Sequence, residues 1–348
     1  MTSEDREGVE GLARRVRDGD RRALSRAISW IEDKSPRGRT LLDALYLPVP
    51  RAHRIGVTGP PGSGKSTLVN CLTRALRARG KMVGVIAVDP TSPFTGGAIL
   101  GDRIRMQEHH ADTGVFIRSM ASRGSLGGLA STTYEASEAM EAAGCDWILI
   151  ETVGVGQSEL EVVEAADTVV VVLVPESGDA VQVMKAGIME AADIFAVNKF
   201  DREGGDRLER EIMVMLELAS GQEAGRSRSE GMGPWRRRIC RTVATSGEGM
   251  DDLLGRIEEH WSFLRGDEAA WEAHRLKRVE RRLKTQLRDR LLHALLDSGE
   301  WDVWLEESGR KVLSGESSPY AIVDEMVSVL IGNGAGGSRI RPGQGETR

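Results

Sequence analysis

Nine consecutive residues, Gly59-Pro60-Pro61-Gly62-Ser63-Gly64-Lys65-Ser66-Thr67, narrow the folds open to this chain more than any other segment. They match the phosphate-binding pattern G-x-x-x-x-G-K-S/T in full. The apolar run Ile55 to Val57 leads in, and Leu68 to Leu76 follows with helical spacing. The loop is therefore expected between a strand and the N-terminus of a helix. Glycines let the backbone turn tightly and aim several N–H groups at one anion. The helix end adds partial positive charge. Lys65 can reach the β- and γ-phosphates of a bound nucleotide, and the Ser66 hydroxyl can ligate Mg²⁺.

The rest of the pattern suits an α/β nucleotide-binding fold. Strands are expected at 53–58, 82–88, 114–118, 146–151, 168–174, 194–198 and 239–244, with helices at 66–79, 132–143, 180–191 and 206–219. Thr168 to Val174 is a continuous β-branched and apolar run, which suits a strand covered on both faces of a mostly parallel sheet. Residues 1–48 read as a helical prefix. Val9, Leu12 and Val16 share a face, Asp20 can cap a second helix, Pro36 and Gly38 break it, and Leu41 to Leu47 form a third. Residues 49–265 are the P-loop domain. Ser220 to Pro234 is Gly- and Ser-rich and reads as a surface loop, and Trp235 as a core anchor. Residues 266–331 form a C-terminal helical region, and 332–348 a disordered tail. Within it, Glu268 to Asp297 is one helix about 40 Å long at ~1.5 Å per residue. Its stripe Leu276, Val279, Leu283, Leu287, Leu291 and Leu295 suits either packing on its own domain or a dimer arm.

Composition removes several function classes. The net charge is −6, and no basic stripe interleaves with aromatics, which argues against nucleic-acid binding. No apolar run approaches the ~20 residues of a membrane span, and the acidic start MTSEDREGVEG is no signal peptide. Cys71, Cys145 and Cys240 are far apart and read as small buried residues in a reducing cytoplasm. His109-His110 lacks a third ligand in sequence and reads as surface histidines.

Asn198-Lys199-Phe200-Asp201 separates GTP from ATP. It closes the run Ile194 to Val197, at a strand's C-terminal end, where open α/β sheets bind ligands. The Asp201 carboxylate can accept from the guanine N1–H and 2-amino group, a donor pair that adenine lacks. Thr242-Val243-Ala244-Thr245 ends the next strand, where Val243, Ala244 and Thr245 can back the base. Glu151-Thr152-Val153-Gly154 holds the place of an Asp-x-x-Gly element: the acid acts through Mg²⁺ or its water, and the Gly154 N–H senses the γ-phosphate. Asp89, in Val88-Asp89-Pro90, ends another strand and can hold a metal-bound water or orient the attacking water. Asp102 and Arg103 are candidate γ-phosphate or metal contacts, with a plain loop as the other reading. Asp179 and Lys185 flank a helix start and suit a solvated surface. Gln157 is the only glutamine near Gly154, three residues beyond it, so a slow intrinsic hydrolysis is expected.

These elements together resemble the MeaB/ArgK group of GTPases. The resemblance rests on the Glu-x-x-Gly element, the Asp-Pro after the second strand, SPFTGGAILGDRIRM, ETVGVGQSE, GDAVQVMKAGIMEAADIFAVNKFD and the long charged C-terminal helix. It spans the chain to about residue 331. It implies a GTPase chaperone of an adenosylcobalamin-dependent acyl-CoA mutase, chiefly methylmalonyl-CoA mutase, that gates cofactor loading and protects the mutase. It further implies a homodimer joined through C-terminal helices, Mg²⁺ and water ligands at Ser66, Asp89, Asp102 and Glu151, switch loops at 91–105 and 151–159, and a third switch from Asp179 to Ala192. Val181-Gln182-Val183-Met184-Lys185 departs from the Leu-Gln-Gly-Ile-Lys type there, which leaves the choice of mutase open. A nickel-delivery GTPase and an ATP-using small-molecule kinase are the rival readings; the first wants a Cys- or His-rich segment, and Asp201 speaks against the second.

Overall fold

The computed structural model describes residues 3–90, 107–109, 111–122, 128–152, 165–175, 191–223, 235–296 and 299–332. The chain forms two compact units, Met1–Arg282 and Leu283–Arg348.

The first unit is built on a seven-stranded sheet in the order β3-β2-β4-β1-β5-β6-β7, parallel throughout. The strands are β1 (His53–Thr58), β2 (Val83–Pro90), β3 (Val115–Ser122), β4 (Trp147–Glu151), β5 (Thr168–Leu173), β6 (Ile194–Val197) and β7 (Arg238–Arg241). Every residue of β1, β4, β5 and β6 is buried; β4, β5 and β6 are accordingly near-continuous apolar runs and not alternating ones, while β1 buries His53, Arg54 and Thr58 as well. Pairing of Val57 with both Glu151 and Val170 sets β1 between β4 and β5. The strand order changes direction at β1, so the loop leaving it opens at the switch point of the sheet.

Alternation along β4 divides the core. Trp147 and Leu149 face one side, where helices α4 (Lys65–Ala78) and α7 (Met250–Arg265) bring Leu68, Leu72, Leu76, Leu254 and Ile257. Ile148 and Ile150 face the other, against α5 (Gly128–Ala142) and the N-terminal helices α1 (Ser3–Arg17), α2 (Arg21–Glu32) and α3 (Pro36–Leu45). Helix α6 (Gly205–Glu223) covers β5 and β6 through Leu208 and Ile212. The N-terminal helices share one core with the sheet, with Val16, Leu24, Ile28 and Leu41 fully or almost fully buried.

Several details differ from the sequence expectation. Helix α3 begins at Pro36, before the expected Leu41, because Ser35 caps it by accepting from the Gly38 N–H at 3.1 Å and proline is tolerated at a first helical turn. Gly38 there is a contact residue and not a breaker: a Cβ would lie 2.3 Å from the Trp30 carbonyl oxygen. His109, expected on the surface, is buried in a short 3₁₀ turn. Ser220 to Glu223, expected to open a surface loop, belong to α6 instead, and the rest of that expected loop, 224–234, lies outside the described residues.

Helix α8 (Glu268–Leu296) starts in the first unit and ends in the second. The second unit continues with α9 (Gly299–Leu313) and α10 (Pro319–Gly332). Sequence reading gave 299–313 no helix, because Gly309 and acidic neighbours blur its apolar spacing. On α8, Leu276, Val279, Leu283, Leu287 and Leu291 are exposed. No helix among the described residues is long and apolar enough to cross a membrane.

Candidate functional site: a nucleotide cradle at the sheet edge

All seven strands point their C-terminal ends to one edge, and most of the sequence-predicted residues meet there. Three glycines shape the loop after β1. Gly59, Gly62 and Gly64 have φ of 142°, 77° and 89°, in the range that side chains other than glycine rarely adopt. At Gly59 a Cβ would sit 2.1 Å from the Val172 carbonyl oxygen, and at Gly64 it would sit 2.4 Å from Asn198 Nδ2. Pro60 and Pro61 fill the turn between the first two of these glycines. Lys65 opens α4 with its side chain buried and folded back over the loop. Its Nζ donates to the Gly59 and Pro60 carbonyls at 2.8 and 3.0 Å. Ser63 is fully buried within the loop, and Thr67 is exposed.

The Ser66 hydroxyl donates to Glu151 Oε1 at 2.5 Å, tying the helix start to the end of β4. Glu151 is buried, and the next residue continues the link, with Thr152 N–H donating to the Val57 carbonyl at 3.1 Å. A serine hydroxyl beside a carboxylate at a helix N-terminus is an all-oxygen donor pair of the type a hard cation such as Mg²⁺ takes, so the residues present fit that ion. Asp89 is the penultimate residue of β2, in register with Ala121. Glu151 pairs with Ala87, two residues earlier, so Asp89 stands at the same edge. Asp102, Arg103, Gly154, Gln157, Asp179, Lys185, residues 180–190 of the expected helix, most of both switch loops and residues 333–348 of the expected tail lie outside the described residues, while Gly332, expected in that tail, ends α10.

Asn198 joins the two halves of the cradle. Its backbone N–H reaches the Leu173 carbonyl at 2.8 Å. Its side-chain amide donates to the Ser63 carbonyl at 2.8 Å, and its Oδ1 accepts from Ala244 N–H at 3.0 Å and Thr242 Oγ1 at 3.3 Å. Lys199 has a left-handed φ of 54° and donates from Nζ to the Gly62 carbonyl at 2.9 Å. Asp201 is exposed on the following turn. Val243 and Ala244 are buried, and Thr245 is exposed in a turn closed by pairing of Val243 with Glu248.

A family model described as "Methylmalonyl Co-A mutase-associated GTPase MeaB" matches residues 24–300. The chain belongs to the MeaB family of GTPases. A Pyrococcus abyssi relative is 46% identical, with 94% of this chain and 98% of that one covered. GTPase ArgK of Escherichia coli is 34% identical over 88% of this chain and 92% of its own. The mouse "Methylmalonic aciduria type A homolog, mitochondrial" is also 34% identical, over 95% and 81% respectively. Among solved structures, that of an LAO/AO transport system kinase has a TM-score of 0.64 at 25% identity, covering 95% of this chain and 99% of its own.

This MeaB-family GTPase also holds residues that no motif announced. Cys71, on α4, donates from Sγ to the Ala244 carbonyl at 3.0 Å, a tie between the phosphate-side helix and the 242–245 turn. Burial pushes its thiol up, and raises those of Cys145 and Cys240 to about 12. The opposite edge of the sheet carries a buried polar network. His53 Nε2 and His260 Nδ1 both meet Thr168 Oγ1, at 2.7 and 2.8 Å. Burial lowers His53 to about 3 and His260 to about 4, and raises Asp193, 3.5 Å from His260 Nε2, to about 7. Asp167, wholly buried, accepts from the Arg54 N–H at 3.0 Å and pairs with Arg278 of α8. Burial pushes its carboxyl up, but Arg278 and Arg54 outweigh that and hold it below the ordinary range. These partners are far apart in sequence, so only spacing-independent contacts could have revealed them.

Proposed function

We propose that this GTPase is a Mg²⁺-dependent chaperone of an adenosylcobalamin-dependent acyl-CoA mutase, methylmalonyl-CoA mutase first among them. In this reading GTP hydrolysis gates loading of the mutase cofactor and protects the mutase in the cytoplasm. The observation that carries the nucleotide assignment is Asn198, whose amide bonds at once to the phosphate loop and to the 242–245 turn. That one side chain ties together the two segments that, in this reading, meet the phosphates and the base. Residues 59–67 hold the GTP phosphates, Lys65 neutralises them, and Asn198, Lys199 and Asp201 read guanine with Val243, Ala244 and Thr245 behind it. Ser66, Asp89, Asp102 and Glu151 would hold Mg²⁺ or its water, and the Gly154 N–H would meet the γ-phosphate. When bound, Mg²⁺ neutralises charge on the phosphate oxygens. The chain's part is to fix the phosphates and exclude the wrong base.

The mutase partner is supported by the family description and by the mouse relative's name. The homodimer is supported by the exposed Leu283, Leu287 and Leu291 on α8 in the C-terminal unit. The test combines the purified chain with methylmalonyl-CoA mutase and measures GTP turnover and transfer of adenosylcobalamin. Mutase should raise turnover severalfold, and a non-hydrolysable GTP analogue should arrest transfer. Identical turnover and transfer in every combination would overturn the partner assignment.

A further inference from the structure

Lys199 and Asp201 frame Phe200, and the structure gives that ring an unusual seat. Lys199 is one of two non-glycine residues with positive φ among the described residues. A left-handed lysine costs about 1–2 kcal/mol and persists only where its surroundings over-determine it. Asn198 and the Lys199 ammonium anchor the turn on its N-terminal side. On its C-terminal side, Phe200 N–H donates to the Thr242 carbonyl at 3.1 Å, and the Arg202 N–H to the Lys199 carbonyl at 3.0 Å. The Phe200 ring packs against the core of β5, β6 and α6. It lies so close to Gly205 that a Cβ there would approach two ring carbons to 3.0 Å.

Arg241, the last residue of β7, also lies over the ring. Its guanidinium carbon stands 4.6 Å from the Phe200 centroid. Glu209 on α6 fixes that guanidinium through Nε at 3.2 Å and Nη2 at 2.6 Å, and Asp206 stands 3.7 Å away. Arg241 thus reaches from the strand before the 242–245 turn to the ring beside the base reader. Thr242, its neighbour, holds both Phe200 N–H and the Asn198 side chain. An arginine on an edge strand needs no such arrangement for solubility. A planar cation over an aromatic ring, braced by a carboxylate fork, fixes orientation.

We infer that Arg241, clamped by Glu209 onto Phe200, is a positioning residue for guanine selection: it fixes the turn that presents Asp201 to the base. This rests on Asp201 as the guanine reader. The carboxylate earns its selectivity by meeting two donors at once, so a loosened turn weakens the second hydrogen bond more than overall nucleotide affinity.

The test measures dissociation constants of the full-length chain for GDP and IDP, which differ only in the 2-amino donor. Arg241→Ala is expected to lower the IDP-to-GDP ratio about two- to fivefold, the range a half-exposed cation over a ring supports. Arg241→Lys should restore part of it, and Glu209→Gln should move it the same way as Arg241→Ala. Asp201→Asn is measured beside them. If Asp201→Asn collapses the ratio while Arg241→Ala leaves it at the wild-type value, the Arg241 inference fails and the base reader stands. If Asp201→Asn leaves the ratio intact, the base reading itself fails. An Arg241→Ala variant that loses GDP and IDP affinity equally has suffered a structural loss only, which also overturns the inference.

Discussion

Truncating Arg278 tests how helix α8 is fastened to the sheet. Its guanidinium pairs with Asp167, and the two side chains are 8% and 0% exposed. It also lies 5.7 Å from the Tyr134 ring. Removing one partner of a buried pair costs about 3–5 kcal/mol, because the other charge stays behind without it. Here the abandoned Asp167 keeps the Arg54 N–H at 3.0 Å, so the low end, about 3 kcal/mol, is expected for Arg278→Ala. One turn on, Arg282 makes a bidentate pair with Glu138 at 2.5 and 2.7 Å, but its side chain is 21% exposed. Water can replace part of that interaction, so Arg282→Ala should cost only about 1.5 kcal/mol. Trp261 and Trp271 stand edge to face 5.4 Å apart, and Trp271 stacks on His274, whose Nε2 is 4.0 Å from Asp167, so their fluorescence should report melting of the Arg278–Asp167 contact. At ~2–4 °C per kcal/mol the midpoint should fall about 6–12 °C for Arg278→Ala. The double variant Asp167→Asn/Arg278→Met removes both charges and, measured against Asp167→Asn and Arg278→Met alone, should recover a large part of the loss, with a coupling above about 1.5 kcal/mol. An Arg278→Ala loss no larger than that of Arg282→Ala, or a coupling under about 0.5 kcal/mol, refutes the reasoning.

Other variants probe the two edges of the sheet. Lys65→Ala should abolish GTP hydrolysis, read as phosphate release; measurable turnover would remove Lys65 from the phosphate site. Gly64→Ala forces a Cβ into Asn198 and should weaken GDP binding at least about tenfold, counting backbone strain of about 1–3 kcal/mol; wild-type affinity by titration calorimetry would contradict this. His53 and His260 fold as neutral rings with lowered values of about 3 and about 4, so their stabilisation is complete above about 6.5 and is lost as pH falls from there toward 4. Asp193, raised to about 7, has the opposite sign: its share of stability is lost as pH rises from about 4 to 7. Asp193→Asn should therefore gain on the wild type between pH 5 and pH 8 in urea melts, and parallel curves would refute it. The three buried thiols, all shifted upward, should resist a thiol reagent at pH 8 in the native state, and rapid stoichiometric labelling would disprove their burial.

The unequal legibility of the two sheet edges has a physical cause. At the C-terminal edge, phosphate recognition demands glycines at fixed steps and a lysine at a fixed distance from them. Guanine recognition demands Asn-Lys-x-Asp within one turn. Those needs are local, so they survive as strings, and the structure brings Gly59, Gly64, Lys65, Asn198 and Lys199 to one edge of the sheet. Continuous apolar runs announce a buried parallel sheet for the same reason, since each residue's burial is written in its own side chain. At the N-terminal edge nothing is local. Arg54 meets Glu141 across 87 positions, Arg278 meets Asp167 across 111, and His53 meets Thr168 across 115. Each alone reads as an ordinary charged or polar residue, and the fold alone makes them partners. The same limit hid Arg241, whose sequence neighbours give no sign of Phe200 or Glu209. Strands β1, β5 and β6 run between these edges, from His53, Thr168 and Ile194 at one end to Thr58, Leu173 and Val197 at the other. A strain applied where α8 is fastened therefore has a short path along the strands to the turn from Asn198 to Asp201. Measuring GDP affinity in Arg278→Ala asks whether that path is used: a change in affinity without loss of fold would show that the hidden edge tunes the legible one.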